Sequence, residues 1–142
     1  MIRSAILPLA LGVACAAHAA PNVGDTLACT SSNPAKRLFV VVGRIEPFGQ
    51  GKTAAQITLI SETSGTLLPR AAHIPIDLEA LRASCPTLAD QPRTLDANFE
   101  SGRQQWLHAR GGIFTITVDQ IDDILQNQVA SARSGADGSA RP

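Results

Sequence analysis

Tyrosine is missing from this chain altogether, and one tryptophan and four phenylalanines are the only other large aromatic residues. Rings that commonly build platforms for sugars and peptides are therefore scarce. An excess of one charge is missing too: 12 basic residues stand against 12 acidic ones, and neither sign forms a run. Nucleic acid and anionic lipid both demand a basic face, so neither is an expected partner. No Cys-x-x-Cys spacing occurs, which is what depresses the pKa of a redox thiol. His-x3-His and mixed His/Asp clusters are also missing, so no metal and no other cofactor is expected. None of Ser61, Ser64, Ser84 and Ser101 lies in a Gly-x-Ser-x-Gly context.

What is present begins with an export leader. Arg3 supplies a positive n-region, residues 6–17 an apolar stretch, and Ala17-His18-Ala19 the small-x-small pattern read by signal peptidase. Cleavage is expected after Ala19, because a cut after Ala20 would leave Pro21 first. The stretch is short for a bilayer and has no stop-transfer flank, so no membrane span is expected in the mature chain. Lipid attachment at Cys15 fits poorly, since Gly12 stands where a lipobox wants a large aliphatic residue. The expected destination is the periplasm of a bacterium or the medium outside it.

Residues 20–142 suffice for one domain and not two. Loss of the leader removes Cys15 and leaves Cys29 and Cys85, an even pair in an oxidising compartment, hence an expected disulfide. Closing the chain over residues 29–85 is worth about 4 kcal/mol on the loop-entropy account.

Periodicity supplies the elements. Residues 26–29 read as a short edge strand. Residues 37–46 are the clearest strand, with Leu38, Val40 and Val42 on one face and Phe39, Val41 and Ile45 on the other. A Gly-bearing loop over 47–52 leads to a strand over 54–62, giving an antiparallel hairpin. Residues 63–73 read as a loop because of Ser64-Gly65 and Pro69. After the extended residues 74–76, Asp77 is the expected cap of a helix over 78–85 that Pro86 stops. Asn98 is the expected cap of a helix over 99–109, ended by Gly111-Gly112. Residues 113–118 alternate as a strand. Asp119 then caps a last helix with Ile121, Ile124, Leu125 and Val129 on its apolar stripe. The expected fold is a small α+β domain over 20–130: a mostly antiparallel sheet of three or four strands with about three short helices. Residues 131–142 read as a disordered tail.

Few motifs carry chemistry. Gly49-Gln-Gly-Lys-Thr53 imitates the end of a phosphate-binding loop, but the full pattern needs glycine where Glu46 stands, so no nucleotide is expected. Asp119, Asp122 and Asp123 suit a helix N-terminus and lack the alternating ligands of a calcium loop. The segment 103–110 holds Arg103, Trp106 and Arg110, residue types that often anchor interfaces, and Phe48 sits at a loop tip. These four are the candidate binding residues, with Trp106 placed between core and interface.

The expected function is that of an exported, non-catalytic protein-binding or accessory module, inhibitor- or immunity-like, whose partner is another envelope or secreted protein. A small envelope hydrolase using His73 with an Asp or Ser brought near by folding is the alternative. A third reading is a structural subunit of an envelope assembly that self-associates through the 37–46 face, as a homodimer in the simplest case.

Overall fold

The computed structural model describes residues 20–138; the expected leader and Cys15 lie outside the described residues. The elements run β1 (Thr26–Cys29), β2 (Lys36–Gly49), β3 (Lys52–Thr63), β4 (Thr66–Asp77), α1 (Leu78–Ser84), β5 (Thr87–Leu88), α2 (Phe99–His108) and α3 (Val118–Gly138). The strands form one antiparallel sheet in the order β4-β3-β2-β1-β5. The class is α+β as expected, with five strands rather than three or four.

Two tight turns explain the extra strand. Gln50-Gly51 and Ser64-Gly65 take positive φ at both central positions, 54° and 73° in one turn and 52° and 77° in the other. That geometry matches the right-handed twist of paired strands, so each dipeptide closes a two-residue hairpin. Thr63 consequently pairs with Thr66, and the expected loop over 63–73 is instead strand β4. Pro69 and Pro75 are tolerated because β4 is an edge strand. The Pro75 carbonyl accepts from the Phe114 N–H outside the sheet, so its missing N–H faces outward and costs β3 nothing.

A bulge at Gly43 changes the phase of β2. The register jumps between Val42 and Arg44, leaving Gly43 unpaired. Ile45 is thereby turned onto the face of Leu38, Val40 and Val42, not that of Phe39 and Val41. On this face Leu38, Val40, Val42, Ile57, Leu59, Ile74 and Ile76 are buried beneath Leu81 of α1, Cys85 just after it, and Val118 and Ile121 of α3. Each such side chain contributes about 1.5–3 kcal/mol.

The opposite face is covered as well. Phe39, Val41, Ala54, Gln56 and Thr58 are buried there, with Phe99 and Arg103 of α2. The connector before α2 completes the cover: the Asp96 N–H donates to Thr58 Oγ1 at 3.2 Å, and the Arg93 guanidinium lies 5.1 Å from the centre of Phe39. β2 is thus buried within its own domain on both sides. Among the described residues, the apolar side chains of residues 38–42 are covered from within, so they give self-association through the 37–46 face no support.

Expectations for the helices and for the last strand also change. Residues 113–118 are not a strand: Phe114 makes a single parallel bridge to Ile76, and its ring is partly exposed. The segment stops pairing because Thr117 begins the next helix. Its hydroxyl accepts from the Gln120 N–H at 3.2 Å, and Gln120 Oε1 accepts from the Thr117 N–H at 3.0 Å. That reciprocal capping box makes Thr117, not Asp119, the cap of α3. Asp77 and Asn98 do precede α1 and α2, but neither side chain makes a capping hydrogen bond. Finally, α3 is helical through Gly138, beyond the end expected near residue 130. Ile121 is buried, whereas Ile124 and Val129 of the expected stripe are exposed, so only its first turns pack.

Cys29 and Cys85 are joined, as expected. The bond links the end of β1 to the residue that ends α1, beside the Thr30 N–H bonded to the Ser84 carbonyl at 2.8 Å. An intramolecular disulfide is characteristic of oxidising compartments. Among the described residues, no helix is long and apolar enough to cross a membrane.

Candidate functional site

The chemistry-bearing residues gather where α2 crosses β3, β4 and the distal end of β2. Helix α2 can lie close because glycines leave room. A Cβ at Gly43 would fall 2.4 Å from the Phe99 ring, and one at Gly102 would fall 2.7 Å from His73 Cβ. Phe99 and His73 then meet edge to face with centroids 5.6 Å apart.

Beneath the helix runs a polar chain. Arg103 grips Glu46 with two bonds, Nη2 to Oε2 at 2.9 Å and Nε to Oε1 at 3.4 Å. Gln56 Nε2 donates to Glu46 Oε1 at 3.1 Å, and His73 Nε2 faces Gln56 Oε1 at 2.5 Å. Gln56 is fully buried, so its amide must be satisfied within the protein. Its carbonyl has to accept, which fixes the proton of His73 on Nε2. The Arg103 hydrogen bond holds the Glu46 carboxyl below its usual range, outweighing the opposing effect of burial. Burial, then the Arg103 charge, lowers the His73 pKa and favours neutral imidazole.

Above this chain the surface turns apolar. Trp106 is half-buried: its Nε1–H donates to the Gly112 carbonyl at 2.8 Å, and its ring stacks on Phe48 at 6.2 Å with 28° between planes. Gly111 permits this, since a Cβ there would fall 2.3 Å from Trp106 Cδ1. Phe48 and Leu107 are exposed at 38% and 44%, and with Trp106, Arg110 and Gly111 they line a shallow groove of about 290 Å³.

The end of α2 shapes the groove's rim. The Gly111 N–H reaches the Trp106 carbonyl and the Arg110 N–H the Leu107 carbonyl, a Schellman closure. That places Arg110 in the left-handed region at φ 49°. A side chain there costs about 1 kcal/mol or more, which is why glycine usually holds the position.

Three of the four binding candidates, Phe48, Trp106 and Arg110, therefore line one groove. Arg103 does not join them; it is 8% exposed and committed to Glu46 beneath the helix. Sequence reasoning missed Glu46 and Gln56. Glu46 was legible only as a charge inside an apolar strand, and Gln56 as a polar residue on the face opposite Ile57. His73 has the Gln56 amide as its hydrogen-bond partner, and no carboxylate or hydroxyl bonds to it among the described residues.

The acidic cluster has a structural explanation. Asp122 is fully buried on α3, with Lys36 Nζ at 2.6 Å from Oδ2 and Arg70 Nε at 3.3 Å from Oδ1. Gln126 Nε2 also donates to Oδ2 at 2.8 Å. Burial would raise the Asp119 pKa, but hydrogen bonds from Ser32 and the Lys36 charge outweigh it and hold the carboxyl low. No group of three His, Cys, Asp or Glu placed to hold a metal occurs among the described residues. Comparison with protein-family models, curated proteins and solved structures gives no match, so the site is read from its own geometry.

Proposed function

We infer that the chain is an exported, non-catalytic protein-binding module whose working surface is the groove formed by Phe48, Trp106, Leu107 and Arg110. One observation carries the reading: two partly exposed aromatic rings are stacked on each other and pinned, with an exposed leucine and an arginine at their edge. Aromatic and arginine side chains are the usual anchors of protein interfaces, and a pinned ring loses little freedom when a partner covers it. The leader and the Cys29–Cys85 disulfide support a periplasmic or secreted setting, where the partner would be another envelope or secreted protein. Hydrolysis by His73 is less well supported. Its Nε2 is occupied by an amide and its ring packs against Phe99 and Trp106.

The test is affinity capture from the cell envelope with the oxidised protein, run beside Leu107→Glu, whose exposed side chain lets the variant fold. A stoichiometric partner retained by the native protein and lost by the variant supports the reading. Equal capture by both contradicts it.

A further inference from the structure

We propose that the groove beside Trp106 receives an acidic–apolar segment of a partner protein, its apolar side chain on the Phe48–Trp106 wall and its carboxylate on Arg110; this rests on the protein-binding reading of the same groove. Charge is the first argument. Arg110 is the one charged residue lining the groove, and no ion pair engages it among the described residues. Arg37, Arg44, Arg70, Arg93 and Arg103 each have a carboxylate within 4.0 Å. An exposed guanidinium beside an apolar wall complements a carboxylate next to an apolar side chain.

The backbone is the second argument. Arg110 holds a left-handed conformation that glycine would hold without strain, at φ 49°. His108 already places a basic side chain in the last turn of α2, so helix electrostatics do not require a second. Strain kept at an exposed residue points to a use for its side chain. The third argument is size. About 290 Å³ admits one or two side chains and falls below the usual range for cofactor pockets. The larger groove of about 450 Å³ near Leu67 and Leu95 offers no comparable charge. Its Arg93 faces Glu62 and Phe39, and its Asp96 accepts from the Asn98 N–H.

The test is selection of random dodecapeptides displayed on phage against the purified oxidised protein, followed by fluorescence-polarisation titration of the selected peptides. The expected consensus places Leu, Phe or Met within two positions of Asp or Glu. Arg110→Gln and Arg110→Gly then weaken binding about tenfold with unchanged circular dichroism, and Arg110→Lys recovers part of the loss. Changing the peptide's acid to its amide weakens binding to the native protein but not to Arg110→Gln. A consensus without an acid, recognition of a free C-terminal carboxylate alone, or equal affinity for Arg110→Gln overturns the proposal. The envelope capture separates the two failures. A partner lost with Leu107→Glu but kept with Arg110→Gln leaves the protein-binding reading standing and removes this one; a partner kept by both variants removes both.

Discussion

Replacing Arg103 by Ala distinguishes a surface arginine from one that fastens α2 to the sheet. An exposed arginine would cost about 0.5 kcal/mol or less. Here the guanidinium is buried and makes two charge-assisted bonds to Glu46. Hydrogen bonds to charged groups contribute about 1.5–3 kcal/mol, and removing one partner of a fully buried pair costs about 3–5 kcal/mol. The Glu46 side chain retains 23% exposure and keeps Gln56 and Arg44 nearby, so the upper range does not apply. The expected loss for Arg103→Ala is about 2–3 kcal/mol, somewhat less for Glu46→Ala. The double variant should lose about 1–2 kcal/mol less than the sum of the single losses. Urea unfolding with the disulfide intact measures this, with fluorescence of the single tryptophan, Trp106, reporting α2 directly. Single losses under 0.5 kcal/mol, or additive ones, would refute the role assigned to the pair.

Acid should loosen the same layer in two steps. His73 is depressed from 6.5, so its contribution is present above that pH and is lost as pH falls toward its folded value; Glu46, depressed from 4.5, behaves likewise at lower pH. In urea titrations carried from pH 7 down to pH 2, His73→Gln should remove the first step and leave the second. Gly43→Ala should cost about 1–3 kcal/mol because its methyl meets the Phe99 ring, and Phe99→Leu in the same chain should recover part of the loss in thermal unfolding. Replacing both Cys29 and Cys85 by Ser should cost about 4 kcal/mol on the loop-entropy account, read as a lower urea midpoint.

The class, the disulfide and the strongest strands were legible because each rests on a local signal. Alternation marks β2 and β3, and an even cysteine pair marks the bond. The errors arose where tertiary context overrides local signals. Pro69 and Ser64-Gly65 read as loop formers, yet one sits on a sheet edge and the others make a hairpin turn. Residues 113–118 alternate like a strand but find only one bridging position beside Ile76. Gly43 shifts the phase of β2, a shift visible only once a partner strand sets the register. For the site, residue type pointed to Phe48, Trp106 and Arg110, which the fold brings together. It pointed equally to Arg103, because no sequence pattern distinguishes an arginine seeking solvent from one seeking Glu46 on a distant strand.

The most direct measurement of the binding claim is photocrosslinking in the intact envelope, with p-benzoyl-phenylalanine in place of Leu107 and, as a control, of Leu67. Both positions are comparably exposed, at 44% and 42%, but only Leu107 lies on the Trp106 groove. The account predicts a discrete adduct from position 107 and none from position 67. Equal labelling at both sites, or no adduct at position 107, would contradict it.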